Sequence, residues 1–191
     1  MLAEIGLIST FLAFVAAMYA IGAAIYGARA HRDALIISAR NAAFLTFPLL
    51  LLATGTLVIA LIRGEYQMSY VWSVSDPNTQ LFYRITALWG SQKGSILFWC
   101  FLMSVFAAGA LVLNWRTHRR LMPYVIAYTM ATLAFFVGLV LFFENPFERW
   151  WIIGEEAVEA ALIPAGGVAP SMQRLAETAN GLNPLLRHFG M

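Results

Sequence analysis

The most informative stretch of this chain runs from Arg84 to Ser95. It reads Arg-Ile-Thr-Ala-Leu-Trp-Gly-Ser-Gln-Lys-Gly-Ser. Gly90 and Gly94 permit positive φ and let another backbone or a flat ligand approach closely. The alternative interpretation is a glycine and serine turn that caps a membrane span, with Trp89 and Trp99 as anchors at the membrane interface.

Other chemistry-bearing residues form no catalytic or metal-binding pattern. His31 and His118 lie among arginines, where a solvated basic residue is the favoured interpretation. The single cysteine, Cys100, lies inside an apolar run and has no partner for a disulfide or a CxxC pair. No Walker loop, HExxH, GxSxG or zinc-spaced set occurs. We therefore predict no catalytic residue and no metal site.

The elements that position these residues are membrane spans. Hydrophobic residues make up 61% of the chain and charged residues 12%, far from the composition of soluble domains. A spanning helix needs about 20 apolar residues. Four uncharged stretches qualify: 5–28, 41–62, 95–115 and 121–143. None contains histidine, which argues against a proton relay or a charged ion path within the spans. Pro48 interrupts the second span and should kink it, with Thr54 or Thr56 able to satisfy the freed carbonyls.

Basic residues predict the orientation. Six of the twelve lysines and arginines fall in the two short connections between spans one and two and between spans three and four. The positive-inside rule places both connections in the cytoplasm. The N-terminus, the loop 63–94 and the segment 144–191 are then outside. The first span lacks the basic start of a cleavable signal peptide, so we expect it to be retained.

Both outer segments show helical patterns. Ser75-Asp76-Pro77 is typical of a helix start, so we expect an amphipathic interfacial helix at about 77–89. The centre of the last segment, 163–167, is rich in proline and glycine and predicts a loop. A short helix is expected from Ser171 to Ala179, closed by Asn180-Gly181. The predicted fold is an all-α membrane protein of about four spans, in which 1–143 form the transmembrane region.

Three motifs, in this order, resemble the CcmF/NrfE family of cytochrome c haem lyases. The first is the block that contains Arg84, Trp89, Gly90, Gln92, Gly94, Ser95 and Trp99. The second is Asn145-Pro146-Phe147, which follows span four and is similar to a turn of that family. The third is the element around Asn183-Pro184. Two residues depart from the family pattern: Ser91 stands where a second glycine is usual, and Lys93 where an acidic or small residue is common.

The resemblance implies cytochrome c maturation in the bacterial inner membrane, with the functional loops in the periplasm. Such proteins receive haem from a CcmE-like periplasmic haem chaperone and attach it to the CxxCH of apocytochrome c. A CcmH-like thiol-handling protein is a further implied partner. The motif residues would form a haem-side or partner surface. Arg84 and Lys93 could then pair with haem propionates, or alternatively with lipid phosphates or helix ends.

The same resemblance implies that the chain is an N-terminal portion. The family's His-Pro-Pro and tryptophan-rich WWD segments, which accompany haem ligation, have no match here. His188 lies near the place of a family histidine but does not match its pattern. We therefore expect haem as the cofactor of a longer protein, with the iron ligands and the lyase activity depending on its remaining portion. The alternative function is a non-catalytic membrane scaffold or a small transporter without haem chemistry.

Overall fold

The computed structural model describes residues 1–179. The four long apolar helices are α1 (Leu2–Arg29), α2 (Asp33–Arg63), α5 (Gln92–Asn114) and α6 (Met122–Phe142). The shorter elements are α3 (Ser69–Val74), α4 (Leu81–Gly90), β1 (Arg149–Ile153), β2 (Glu156–Ala160) and α7 (Met172–Thr178). The long helices are long and apolar enough to cross a membrane, which confirms the four predicted spans.

The four spanning helices form a ring in which α1 contacts α2 and α6, and α5 completes the ring by contacting the same two helices. The α1–α2 contact is the most extensive, and the buried side of α1 carries alanines such as Ala13, Ala17, Ala20 and Ala24. Small residues allow the backbones of two membrane helices to approach closely. Successive neighbours in the ring are antiparallel, so the two short connections lie at one end and the remaining elements at the other.

Helix α2 begins eight residues before the predicted span, at Asp33. Hydropathy marks the part of a helix that lies in hydrocarbon, whereas backbone hydrogen bonding continues through Asp33 and Arg40 into the aqueous region. Pro48 lies inside this helix, as expected. The expectation that Thr54 or Thr56 satisfies the carbonyl freed by Pro48 is wrong, because Thr56 bonds to Ala53 and the Thr54 hydroxyl has no hydrogen-bond partner among the described residues.

The predicted start of the interfacial helix is also wrong. The Asp76 carboxylate accepts hydrogen bonds from the Asn78 amide (2.7 Å) and the Thr79 hydroxyl (3.1 Å). These bonds form a closed turn around Pro77, because an aspartate that bonds the backbone two residues ahead mimics a turn as well as a helix cap. Helix α4 therefore begins only at Leu81 and ends at Gly90.

The segment after α6 adds a β-hairpin that the sequence analysis did not predict. Strands β1 and β2 pair antiparallel around Gly154-Glu155, and Gly154 has a φ of +65°. The outer side of β1 pairs with Gln67 through the Trp150 amide, and with Val168 through two bonds to Ile152, all at 2.9 Å. β1 is thus the central strand of a small, partly irregular sheet. Helix α7 follows, and its predicted end at Asn180-Gly181 lies outside the described residues.

Candidate functional site at the hairpin end

We call the end of the bundle that carries α3, α4, the β-hairpin and α7 the hairpin end, and the end with the two short connections the basic end. All the predicted site residues that the structure describes, except Trp99, lie in elements or turns of the hairpin end; Trp99 lies in the first half of α5. Asn183 and Pro184, like His188, lie outside the described residues. The geometry below therefore concerns the first two motifs.

The Arg84 side chain is hydrogen-bonded to backbone carbonyls. Its guanidinium donates hydrogen bonds to the carbonyls of Thr79 (3.0 Å), Asp76 (3.0 Å) and Pro77 (2.9 Å). A fourth bond, of 3.3 Å, reaches the carbonyl of Ile62 in the last turn of α2. A helix end leaves such carbonyls without intrahelical partners. Arg84 thus ties the turn before α4 to the end of a spanning helix, and these bonds use four of its five N–H donors.

Ser91 makes the junction between α4 and α5. It is the C-cap of one helix and the N-cap of the next, with extended dihedral angles (φ −136°, ψ 165°). The positive-φ glycines of the described residues lie elsewhere, so the turn at this motif does not depend on a left-handed glycine. Gln92 starts α5, and its carbonyl accepts a hydrogen bond from the Ser95 hydroxyl (3.0 Å). The junction is therefore a break between two helices held by local bonds.

Gly94 is the position where close approach is needed. A Cβ atom there would collide with the Tyr70 hydroxyl and with the carbonyl oxygen of Leu88. Tyr70 is buried and donates a hydrogen bond to the Ala87 carbonyl (2.7 Å). Burial raises the pKa of Tyr70 to about 12, because the charged phenolate is disfavoured away from water. The space beside Gly94 is thus occupied by the Tyr70 hydroxyl of α3 and the Leu88 carbonyl of α4, both in the same chain.

Trp89 and Trp99 are both exposed. Trp89 is 50% exposed and its ring lies 6.1 Å from that of Phe98. Trp99 is 60% exposed and lines a shallow apolar groove with Ile96, Met103 and Phe136 of α5 and α6. Their exposure leaves both rings available to lipid or to a partner.

Lys93 and the Asn-Pro-Phe motif join the spanning helices to the hairpin. The Lys93 ammonium lies 2.8 Å from Glu148 and 3.8 Å from Glu159. The Asn145 side chain accepts a hydrogen bond from the Phe147 amide (2.9 Å), which closes a turn around Pro146. This turn places Phe147 in the core against Gly6 of α1, where no side chain would fit.

Arg149 is a site residue that the sequence analysis missed. Its side chain is 8% exposed, lies 3.2 Å from Glu4 and stacks over the Trp151 ring at 4.9 Å. The bridge between Met68 and Arg149 adds backbone pairing. Arg149 therefore ties the first turn of α1 to the hairpin. An arginine next to a Trp-Trp pair is a signal for such stacking, but Glu4 is 145 residues away in the sequence.

The hairpin end also contains an open cleft of about 500 Å³, which we call the tryptophan cleft. It lies between the hairpin and α7, and its walls include Trp72, Trp150, Trp151, Arg174 and Leu175. The Trp72 and Trp150 rings meet edge to face at 5.6 Å. The indole N–H of Trp150 is buried without an acceptor among the described residues. A cleft of this size, mostly apolar with one cation (Arg174) and one anion (Glu155), has the character of a ligand-binding site.

The described residues do not supply iron ligands to this cleft. Its lining contains no histidine, cysteine or methionine. Among residues 1–179, no group of three or more histidine, cysteine, aspartate or glutamate side chains could hold a metal ion. His31 and His118 lie at the basic end. The cleft therefore fits the flat apolar face of a large ring or an apolar peptide side chain, but its residues do not fit iron coordination.

These features define a four-span helical membrane protein with an ordered segment at one end, and comparisons place it among known proteins. The chain is 27% identical over its whole length to "Cytochrome c-type biogenesis protein CycK" of Rhizobium meliloti, of which it covers 25%. It is 28% identical over 78% of its length to "Cytochrome c-type biogenesis protein ccl1" of Rhodobacter capsulatus, covering 23% of that protein. It is 30% identical over 60% of its length to "Cytochrome c-type biogenesis protein CcmF" of Escherichia coli, covering 18% of it.

The solved structure of "Cytochrome c Heme Lyase CcmF" matches 77% of the chain with a TM-score of 0.68 at 22% identity, which supports the fold. No protein-family model matches the chain. The predicted resemblance to the CcmF/NrfE cytochrome c-type biogenesis proteins is confirmed over the whole chain. The chain spans about a quarter of the length of the curated relatives it matches.

Proposed function

We propose that this chain is the N-terminal membrane part of a cytochrome c haem lyase. Its four spans would anchor the hairpin end, and the tryptophan cleft would form part of the surface that handles haem or apocytochrome c. The likeness to cytochrome c-type biogenesis proteins supports the pathway. The role proposed for this surface rests on the cleft itself, which is lined by three tryptophans and Arg174.

In this proposal the chain provides binding surface and the remaining portion of the lyase provides the iron ligands and the chemistry of attachment. Haem contributes its macrocycle and iron when it is bound. Trp72 and Trp150 would present apolar ring edges and faces to it, while the Arg174 guanidinium could pair with a carboxylate. Arg174 differs in this respect from Arg84, whose guanidinium is held by four backbone carbonyls.

The proposed setting is the bacterial inner membrane, with the hairpin end in the periplasm and the basic end in the cytoplasm. The supporting pattern is the concentration of arginines at the basic end, as the positive-inside rule requires. The proposed partners are the rest of the lyase, a CcmE-like haem chaperone, a CcmH-like thiol-handling protein and apocytochrome c.

The second candidate is a membrane scaffold without haem chemistry, and a small transporter is its variant. The contacts of Arg84 and Lys93 favour the scaffold, because both cations hold elements of this chain together. Under this candidate the motif block maintains the hairpin end and the tryptophan cleft binds another subunit. The two candidates differ in whether cleft residues affect haem attachment.

Genetic complementation tests the proposal. In a strain that lacks this chain, we expect loss of covalently bound haem in c-type cytochromes, detected by haem staining and pyridine haemochrome spectra. Complementation with the variant Arg174→Gln should restore less haem attachment than the wild-type chain, at equal membrane abundance. The matched control is Arg116→Gln at the basic end, which should restore it fully. Intact c-type cytochromes in the deletion strain would refute the proposed function.

A second pair of variants separates haem handling from scaffolding. Trp72→Leu removes one wall of the cleft, and Trp115→Leu removes a tryptophan at the basic end. If the cleft serves haem handling, the first variant lowers haem attachment while the chain still co-purifies with its partner portion. If the chain is only a scaffold, haem attachment falls only to the extent that co-purification falls.

A further inference from the structure

The basic end contains a cavity that the proposed function does not use. It has a volume of about 490 Å³ and lies where the connection between α1 and α2 meets the connection between α5 and α6. Its basic lining residues are His31, Arg119 and Arg120. Three basic side chains from two separate connections thus converge on one space.

The ends of three helices also line this cavity. Asp33, the first residue of α2, and Pro123 and Tyr124, in the first turn of α6, line its wall. The N-terminus of a helix carries a partial positive charge and unpaired amide groups, and both favour an anion. Gly27 and Ala28 in the last turn of α1 also line the cavity and bring the opposite partial charge, so its positive potential rests mainly on the basic side chains.

Asp33 is the one acidic residue that lines the cavity. Its carboxylate lies 3.3 Å from the Arg119 guanidinium, but the side chains are 76% and 61% exposed, respectively. An ion pair this exposed contributes little and is easily exchanged for another anion. Arg119 can therefore exchange Asp33 for a more strongly bound anionic ligand with little loss of stability.

The walls of the cavity indicate what kind of anion would enter. Ile36 and Tyr124 line it, and Tyr124 is 67% exposed at the start of a helix that crosses the membrane. Tyr128, one turn further into the membrane, is 78% exposed on the same helix. Tyrosines at the end of a span are typical of headgroup depth. The cavity therefore combines cations with an apolar flank that continues along α6.

We propose that this cavity binds the headgroup of an anionic phospholipid, with the phosphate at Arg119 and Arg120 and an acyl chain along the exposed face of α6. Basic pockets between membrane helices bind such headgroups, and juxtamembrane arginines are attracted to anionic lipid. The site lies at the end of the bundle opposite the tryptophan cleft and does not depend on the haem function.

A second basic cleft offers a matched control. Arg40 and Arg116 line it together with Trp115. The Arg40 guanidinium lies 4.6 Å from the centre of the Trp115 ring and donates hydrogen bonds to the Asn41 side chain at 3.1 and 3.3 Å. Arg40 is thus already engaged, and its removal together with Arg116 lowers the net charge by the same amount as removal of Arg119 and Arg120.

The test uses the full chain purified in detergent and analysed by native mass spectrometry with phosphatidylglycerol, cardiolipin, phosphatidylcholine or inorganic phosphate. We expect the wild-type chain to retain phosphatidylglycerol or cardiolipin and not phosphatidylcholine. The double variant Arg119→Gln with Arg120→Gln should lose about tenfold or more in apparent affinity, given the attraction of each arginine to anionic lipid. The control Arg40→Gln with Arg116→Gln should lose much less affinity, because Arg40 is already held by Trp115 and Asn41.

Three other outcomes would contradict the proposed lipid site. Equal losses in both double variants would show a general charge effect and overturn the proposed site. Retention of phosphatidylcholine at the same level would overturn the role of the anionic headgroup. Displacement of lipid by millimolar inorganic phosphate would identify a soluble anion as the ligand and contradict the lipid. Circular dichroism of each variant checks that α-helical content is unchanged.

Discussion

The hairpin end and the basic end use the same kinds of charged residues in opposite ways. At the hairpin end, Arg149 is 8% exposed and bound to Glu4, and Lys93 is 28% exposed and bound to Glu148. At the basic end, the Arg119 and Asp33 side chains of the corresponding pair are both more than half exposed. Arg149 and Lys93 therefore fix secondary-structure elements, whereas Arg119 and Asp33 remain available to solvent and lipid.

This difference follows from what each end must hold together. The hairpin end collects several short elements, which have few intrahelical bonds and depend on contacts between distant residues. The basic end only reverses the chain between long helices, which are stable through their own backbone bonds and packing. Specific polar contacts are thus concentrated where short elements need them. The predictions below test this contrast, beginning with the largest expected effect.

Gly94→Ala should be the most damaging single change. The added Cβ would meet the Leu88 carbonyl and the Tyr70 hydroxyl, and a backbone atom cannot move aside as a flexible side chain can. We expect a loss of about 2 to 3 kcal/mol in the free energy of unfolding, the usual cost of overpacking. An SDS titration followed by circular dichroism measures it.

The matched control is Gly109→Ala in the same helix, where the added Cβ has no atom within 4 Å. It should lose no stability and gain up to about 1 kcal/mol, because alanine favours helix formation over glycine. If the two variants lost the same stability, the close packing at the hairpin end would not distinguish it from the rest of α5.

Arg149→Met should lower the free energy of unfolding by about 2 kcal/mol. The variant keeps much of the side-chain volume but removes the guanidinium that stacks on Trp151 and pairs with Glu4. The cost is below that of a fully buried pair, because the Glu4 side chain is 45% exposed and can be hydrated. Arg119→Met at the basic end, in lipid-free detergent, should change stability by less than about 0.5 kcal/mol. A larger cost for Arg119→Met than for Arg149→Met would reverse the contrast between the ends.

The sequence was sufficient to predict the spans but not the contacts of the hairpin end. Long uncharged runs specify a membrane helix locally, because lipid forces every backbone group in the span to bond within its own helix. The four predicted spans are confirmed for this reason. Their ends were less predictable, as α2 shows by continuing outward to Asp33, because hydropathy detects lipid and not backbone hydrogen bonds.

The hairpin depends on contacts between distant residues, which a local sequence pattern does not reveal. Trp-Trp-Ile-Ile followed by Gly154-Glu155 is a recognisable strand and turn signal. However, β1 is stabilised by Gln67 and Val168, which come from other parts of the chain. The site residues show the same limit. The sequence places Lys93 beside tryptophans, but its partner Glu148 lies 55 residues away. The orientation in the membrane and the haem-side role of the motif residues stay predictions.

Tyr70→Phe tests whether the buried hydrogen bond beneath the motif block matters. Loss of the bond to the Ala87 carbonyl should cost about 1 kcal/mol. The wild-type chain should also lose stability as the pH rises from about 10 to about 12. Burial raises the Tyr70 pKa to about 12, so the unfolded chain releases this proton at lower pH than the folded chain. Thermal unfolding at several pH values measures both effects.

The phenylalanine variant has no phenol at this position, so its stability should fall less steeply over the same pH range. Equal slopes for the two proteins would contradict the raised pKa of Tyr70.

The pairing of Lys93 with Glu148 should give the smallest effect, about 0.5 kcal/mol. The two side chains are 28% and 31% exposed, so water screens the pair and also hydrates each partner when the other is removed. A double-mutant cycle of Lys93→Met and Glu148→Gln isolates the coupling between them. The corresponding cycle of Arg119→Met and Asp33→Asn should give a coupling near zero at the basic end, where both partners are far more exposed. The Lys93–Glu148 coupling could vanish at high salt while the Arg149 effect persists. That result would show that exposure, rather than position in the molecule, determines how much each contact contributes to stability.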